Sequence, residues 1–110
     1  NSLHMSNLHL KDQPELKDFQ NYVRSMVEER KFSTTSAEAF QFLLEECGEL
    51  AKAARQESKH LGNGVHSEIR NIDHEAADVF IFLLDICNKF DIDLESAFRA
   101  KEEINKKRWG

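Results

Sequence analysis

The chain has 110 residues, with 15 Lys and Arg against 20 Asp and Glu and a formal net charge of −5. Charges of both signs are interleaved and no basic arm or stripe occurs, which argues against a nucleic-acid polymer as partner. The longest apolar run, Val79 to Leu84, stops at Asp85, far short of the roughly 20 residues of a membrane span. No stretch reads as a signal peptide, so the expectation is a soluble, cytoplasmic protein. Asn1 to His4 precede Met5 and read as an expression scar, leaving residues 5–110 as a single domain. A domain of this size buries only about two thirds of its unfolded surface, so oligomerisation would help it. Cys47 and Cys87 fit no zinc spacing and are expected as buried free thiols.

The apolar period is helical throughout, no segment alternates like a strand, and there are no repeats. The fold class is therefore all-α, with four helices. The first is predicted from about Pro14 to Lys31, with Asp12 and Glu15 as a capping pair and Phe19, Tyr22, Val23, Met26 and Val27 as its apolar stripe. The second runs from about Ser36 to Lys59 behind a Thr35/Glu38 capping box. Its core stripe is predicted as Phe40, Leu43, Leu44, Cys47, Ala51 and Ala54. A loop over residues 60–70 follows, marked by Gly62-Asn63-Gly64. The third helix runs from about Ile72 to Phe90 and is apolar on nearly every side around Phe80 to Leu84, which predicts burial all round and a subunit partner. The fourth runs from about Leu94 to Lys107 with Asp93 as N-cap, turning Leu94, Ala97, Phe98 and Ile104 inward.

Two acidic pairs share one spacing: Glu46 with Glu49 on the second helix, and Glu75 with Asp78 on the third. Residues three apart lie roughly 60° from each other around a helix, so each pair points one way. Phe42 and Ala53 bracket the first pair and Phe82 shares the sector of the second, so both pairs flank the core. Packed side by side, the helices would gather four carboxylates whose mutual repulsion a hard divalent cation relieves. All-oxygen ligation suits Mg²⁺, with Mn²⁺ as substitute. The competing reading is a pair of solvated helix faces. Gly48, inside the first pair, weakens the helix and suits close approach by a second helix or a ligand. Glu57 and His60 make a single Glu-x-x-His spacing, half of what a di-iron bundle uses, and His9, His66 and His74 form no ligand spacing.

Glu45 to Leu50 (EECGEL) followed by Glu75 to Val79 (EAADV) resembles the signature of the MazG-like nucleoside triphosphate pyrophosphohydrolases. Asp93-Leu94, then Lys101, Asn105, Arg108 and Trp109, resembles that family's closing pattern. The resemblance covers roughly Phe32 to Trp109. It implies an all-α enzyme that cleaves a nucleoside or deoxynucleoside triphosphate between the α and β phosphates, giving the monophosphate and pyrophosphate. It further implies Mg²⁺ held by Glu46, Glu49, Glu75 and Asp78, and a homo-oligomer, dimer or dimer of dimers, with house-cleaning of the nucleotide pool as the role. Some members place a tryptophan near the end of helix one against the base; here Phe32 is the nearest aromatic.

Lys101, Asn105 and Arg108 share one face of helix four. With the resemblance they read as phosphate-binding groups; without it, as basic residues favoured by the helix dipole. Phe82 either lines a base pocket or packs in the core, and Trp109 is a packing anchor or a wall of the site. Glu46 or Glu49 would act as general base. Two alternatives stay open: a phosphoribosyl-ATP pyrophosphohydrolase-like activity, and a non-catalytic module binding nucleotide or metal.

Overall fold

A computed structural model describes residues 6–32, 34–58 and 68–109. Residues 1–4, Lys59, His60, the Gly62-Asn63-Gly64 segment of the predicted loop and His66 fall outside the described residues. The rest is all-helical, with α1 Leu16–Glu29, α2 Ser36–Ser58, α3 Asn71–Lys89 and α4 Leu94–Trp109. The chain divides into two compact units, one of residues Asn1–Ser33 with Leu84–Gly110, the other Thr34–Leu83.

In the first unit α1 begins at Leu16, two residues after the predicted start at Pro14. Glu15 is the N-cap, and its backbone N–H donates to Asp18 Oδ2 at 2.8 Å. Gln13 has a φ of 53°, and the proline after it disfavours helical geometry there. At its other end α1 stops before Lys31. Lys31 takes a φ of 54°, Phe32 N–H donates to Val27 O at 2.8 Å, and Lys31 N–H to Glu28 O at 3.2 Å. That is a Schellman motif with lysine where glycine is usual. The end of α3 repeats it: Asp91 has a φ of 54°, and Ile92 N–H reaches Cys87 O at 2.8 Å.

The core of this unit joins Val23 and Met26 of α1 to Leu84, Ile86 and Cys87 of α3, all buried. Two buried polar residues are fastened within it. Gln20 Nε2 donates to Ile92 O at 2.8 Å and to Asn88 Oδ1 at 3.2 Å, while its Oε1 accepts the Leu94 N–H at 3.0 Å. Asn88 Nδ2 returns a bond to Gln20 O at 2.9 Å. This reciprocal clamp ties α1 to the α3–α4 turn. Asp85 accepts from Lys89 Nζ at 2.8 and 2.9 Å. The helix α4 packs on α1 but has no buried residue. Its predicted inward positions are corrected accordingly: Phe98 is 68% exposed and Ile104 58%.

In the second unit the Thr35/Glu38 box forms as predicted. Thr35 N–H donates to Glu38 Oε1 and Glu38 N–H to Thr35 Oγ1, each at 3.1 Å, and the bond from Thr35 holds the Glu38 carboxyl below its usual pKa. The helices α2 and α3 run antiparallel, since successive pairings step forward along α2 and back along α3. Phe42 meets Phe82 with ring centroids 5.7 Å apart, Glu46 meets Asp78 and Glu75, and Glu57 meets Arg70.

The face of α2 that packs is not the one its apolar period predicts. Ala39 and Ala53 are buried and Phe42 half-buried; of the predicted stripe Leu43 is half-buried, whereas Phe40, Leu44, Cys47, Ala51 and Ala54 are exposed. The two alanines let a neighbouring helix approach on the acidic side, while most of the apolar stripe stays exposed. Burial of α3 on all sides is likewise corrected: only Leu84 to Cys87 are buried, Val79 to Phe82 are half-buried, and Leu83 is exposed. Cys87 is buried as predicted and burial pushes its thiol pKa up, but Cys47 is exposed.

Candidate metal centre

The second unit builds a carboxylate cluster from one helix turn of α2 and one of α3. Glu46, Glu75 and Asp78 each offer a ligand oxygen, and these oxygens lie within 4.8 Å of one another. The i, i+3 spacing of Glu75 and Asp78 puts both on the side of α3 that meets Glu46, as the sequence predicts. Glu46 and Glu75 are half-buried. Desolvation, then the charges of Asp78 and Glu75, and after them Glu49 and Glu45, raise the Glu46 carboxyl above its ordinary range. A carboxylate in this setting is stabilised by a nearby cation.

Glu49 does not join the convergent oxygens. It lies one turn along α2, exposed, close enough for its charge to reach Glu46. A β-carbon built on Gly48, beside it, would meet nothing within 4 Å, so that side of the helix is open. About one turn along each helix from Glu46 and Asp78, the Phe42 and Phe82 rings meet at a tilt of 31°.

Sequence reasoning missed the brace at the other end of the same helix pair. Arg70 Nη1 donates to Glu57 Oε1 at 3.0 Å and Nη2 to Asp73 Oδ1 at 3.3 Å, while the Arg70 backbone N–H donates to Asp73 Oδ2 at 2.9 Å. The bond to Glu57, then that to Asp73, holds the guanidinium more firmly charged than usual. The Arg70-x-x-Asp73 spacing is a helix-capping signal that could have revealed half of it. By joining the end of α2 to the start of α3, the brace fixes the register that sets Glu46 opposite Glu75 and Asp78.

The remaining predicted residues belong to the first unit. On α4, Lys101 and Arg108 are exposed and Asn105 is half-buried. The Arg108 guanidinium lies 5.6 Å from the Trp109 ring centroid, a cation–π contact. Phe32, just past α1, is 48% exposed. Among the described residues no helix is long and apolar enough to cross a membrane.

An all-helical chain with a carboxylate cluster between two antiparallel helices defines a class of protein suited to a hard divalent cation and its oxygen-rich ligands. Within that class the family is specific: the model of the MazG nucleotide pyrophosphohydrolase domain matches residues 34–108, and the chain belongs to this family. No curated protein matches it.

Proposed function

We propose that this protein hydrolyses a nucleoside or deoxynucleoside triphosphate to the monophosphate and pyrophosphate, with Mg²⁺ or Mn²⁺ at Glu46, Glu75 and Asp78. The observation that carries this reading is the convergence of those three carboxylates within 4.8 Å in a chain of a nucleotide pyrophosphohydrolase family. The donor set fits the ion. It is all oxygen, and burial together with the charges of Asp78 and Glu75 raises the Glu46 carboxyl, a setting that a cation relieves. A bound Mg²⁺ supplies charge for phosphate oxygens and lowers the pKa of a water ligand.

The chain's own residues divide the remaining work. Glu46 serves as a ligand beside Glu75 and Asp78. Glu49, outside the convergent set and exposed, is the residue we assign to take the proton of the attacking water. Lys101, Asn105 and Arg108 would hold the phosphates, the two cations offsetting charge on the pyrophosphate leaving group. Phe82 and Phe32 would offer ring faces to the base. The exposed apolar residues on α2 and α4 support a homo-oligomer, dimer or dimer of dimers. A cytoplasmic enzyme that clears unwanted nucleotides from the pool fits this chemistry.

The test is a panel of canonical and modified NTPs and dNTPs, incubated with and without Mg²⁺, with both products identified. Metal-dependent monophosphate and pyrophosphate, lost in Glu49→Gln while Mn²⁺ binding persists, supports the assignment. Orthophosphate and a diphosphate product, or full activity in Glu49→Gln, would overturn it.

A further inference from the structure

The carboxylate cluster has one covered side and one open side. In an antiparallel helix pair, residues turned in the same sense from the facing line fall on the same side of the pair. Leu50 and Leu43 lie about 40° and 60° around α2 from Glu46 in one sense. Val79 and Ile72 lie about 70° and 90° in that sense from the midline of Glu75 and Asp78 on α3. All four are half-buried, so the chain itself covers this side. In the opposite sense Glu49 lies about 60° from Glu46, and His74 about 70° from the midline of Glu75 and Asp78. Both are exposed. A nucleotide that reaches the cluster therefore passes Glu49 and His74.

The two also stand level along the pair. Phe42 lies opposite Phe82, and Glu46 opposite Asp78. Continued, this register sets Glu49 opposite Glu75 and Leu50 opposite His74. Glu49 and His74 then differ by one residue, about 1.5 Å, along the axes. Axes about 8–10 Å apart, with Cα atoms about 2.3 Å from each, put the two Cα atoms roughly 6–8 Å apart. Glu49 and His74 thus stand on opposite rims of one opening, and Asp78 follows His74 at the i, i+4 spacing of helix neighbours. Lys52, the cation on this side of α2, is turned about 120° from Glu46 and points further from the opening. Among the described residues the His74 side chain has no hydrogen bond and no ion pair, which leaves a ring N–H to donate to a ligand.

We propose that His74 is a substrate-binding residue that donates a ring N–H to a phosphate oxygen of the nucleotide, across the opening from Glu49. The inference rests on the pyrophosphohydrolase reading above and adds a residue to it. Glu46, Glu49, Glu75 and Asp78 are all acceptors once ionised, and His74 is the donor beside them. A triphosphate carries more charge than one divalent cation offsets, and fixed N–H donors stabilise the charge on its oxygens as the bond breaks. Glu49 takes the proton of the attacking water on one rim; His74 holds the attacked phosphate from the other. A neutral imidazole is enough for this, and no proton leaves or joins the ring.

The experiment measures Mg²⁺-dependent pyrophosphate release by the full chain and, separately, Mn²⁺ binding by electron paramagnetic resonance. The proteins are wild type, His74→Ala and His74→Asn. A hydrogen bond to a charged group corresponds to a roughly 10- to 100-fold effect. His74→Ala should lose that much in kcat/KM, with Mn²⁺ binding and helical circular dichroism unchanged. His74→Asn keeps an N–H donor and should recover part of the loss. Should His74→Ala lose its helix, His74→Leu, bulky and without an N–H, is read in its place. Wild-type kcat/KM in the variant without a donor, a loss that His74→Asn does not repair, or a loss that comes with weakened Mn²⁺ binding would overturn the role of His74 and leave the pyrophosphohydrolase reading standing. A wild type that releases no pyrophosphate from any nucleotide of the panel would overturn both.

Discussion

Replacing Glu46 with glutamine should make the metal-free protein more stable and the metal-loaded protein less responsive. The Glu46 oxygen lies within 4.8 Å of those of Glu75 and Asp78. Two unit charges at that distance repel by about 0.9 kcal/mol in water and about 3.5 kcal/mol at an effective dielectric of 20. The cluster is reached by solvent, so the lower figure governs, and relieving two pairs is worth about 1–2 kcal/mol. In a domain of this size that raises Tm by roughly 5–10 °C. The sign follows from linkage. The folded state holds the Glu46 proton more tightly than the unfolded chain does, so wild-type stability without metal falls as pH rises from the ordinary carboxyl range through the raised pKa. Glu46→Gln removes that fall, and added salt narrows the gap between the two proteins. Mg²⁺ at ten times its Kd would return about 1.4 kcal/mol to the wild type and much less to the variant. Thermal melts at several pH values, in chelator and in Mg²⁺, measure all of this. A variant less stable than wild type in chelator, or equally shifted by Mg²⁺, would show that Glu46 is neither repelled by Glu75 and Asp78 nor a metal ligand.

Two further changes test the frame around the site. Gln20→Ala strips partners from Ile92 O, Leu94 N–H and Asn88 Oδ1. It should lower stability by about 1–3 kcal/mol, seen as an earlier urea midpoint; an unchanged midpoint would deny the clamp its role. Lys31→Gly relieves a residue held at a φ of 54° and should stabilise by ~0.5–1 kcal/mol, the cost of a left-handed residue less the entropy glycine loses on folding. A lower Tm in that variant would contradict the Schellman assignment.

Helix positions, the Thr35/Glu38 box and the pairing of Glu75 with Asp78 are legible in the sequence because each depends on residues within one turn. The ends of α1 and α3 are not, because Lys31 and Asp91 take the left-handed positions that glycine usually advertises. The packed face of α2 misleads for a different reason. Apolar periodicity reports every surface that avoids water, including one its own chain leaves exposed, as Phe40 and Leu44 are here. The face that does pack is held by Ala39, Ala53 and Phe42 around an acidic residue. In the sequence Phe42 and Ala53 mark this face as flanking the core, but its small and charged side chains do not mark it as the main packed face. The Arg70 brace is hidden because Glu57 lies 13 residues away, a separation that no local pattern encodes.

The proposed activity rests on Glu46, Glu75 and Asp78 holding a metal ion. Pyrophosphate release by wild type and Glu75→Gln, each titrated with Mg²⁺ against the best substrate of the panel, tests it most directly. Saturable, metal-dependent release is expected in wild type. In the variant, release should be lost or should need far more Mg²⁺, with its helical circular dichroism intact. Equal release by both proteins, or release by wild type that no chelator suppresses, would contradict it.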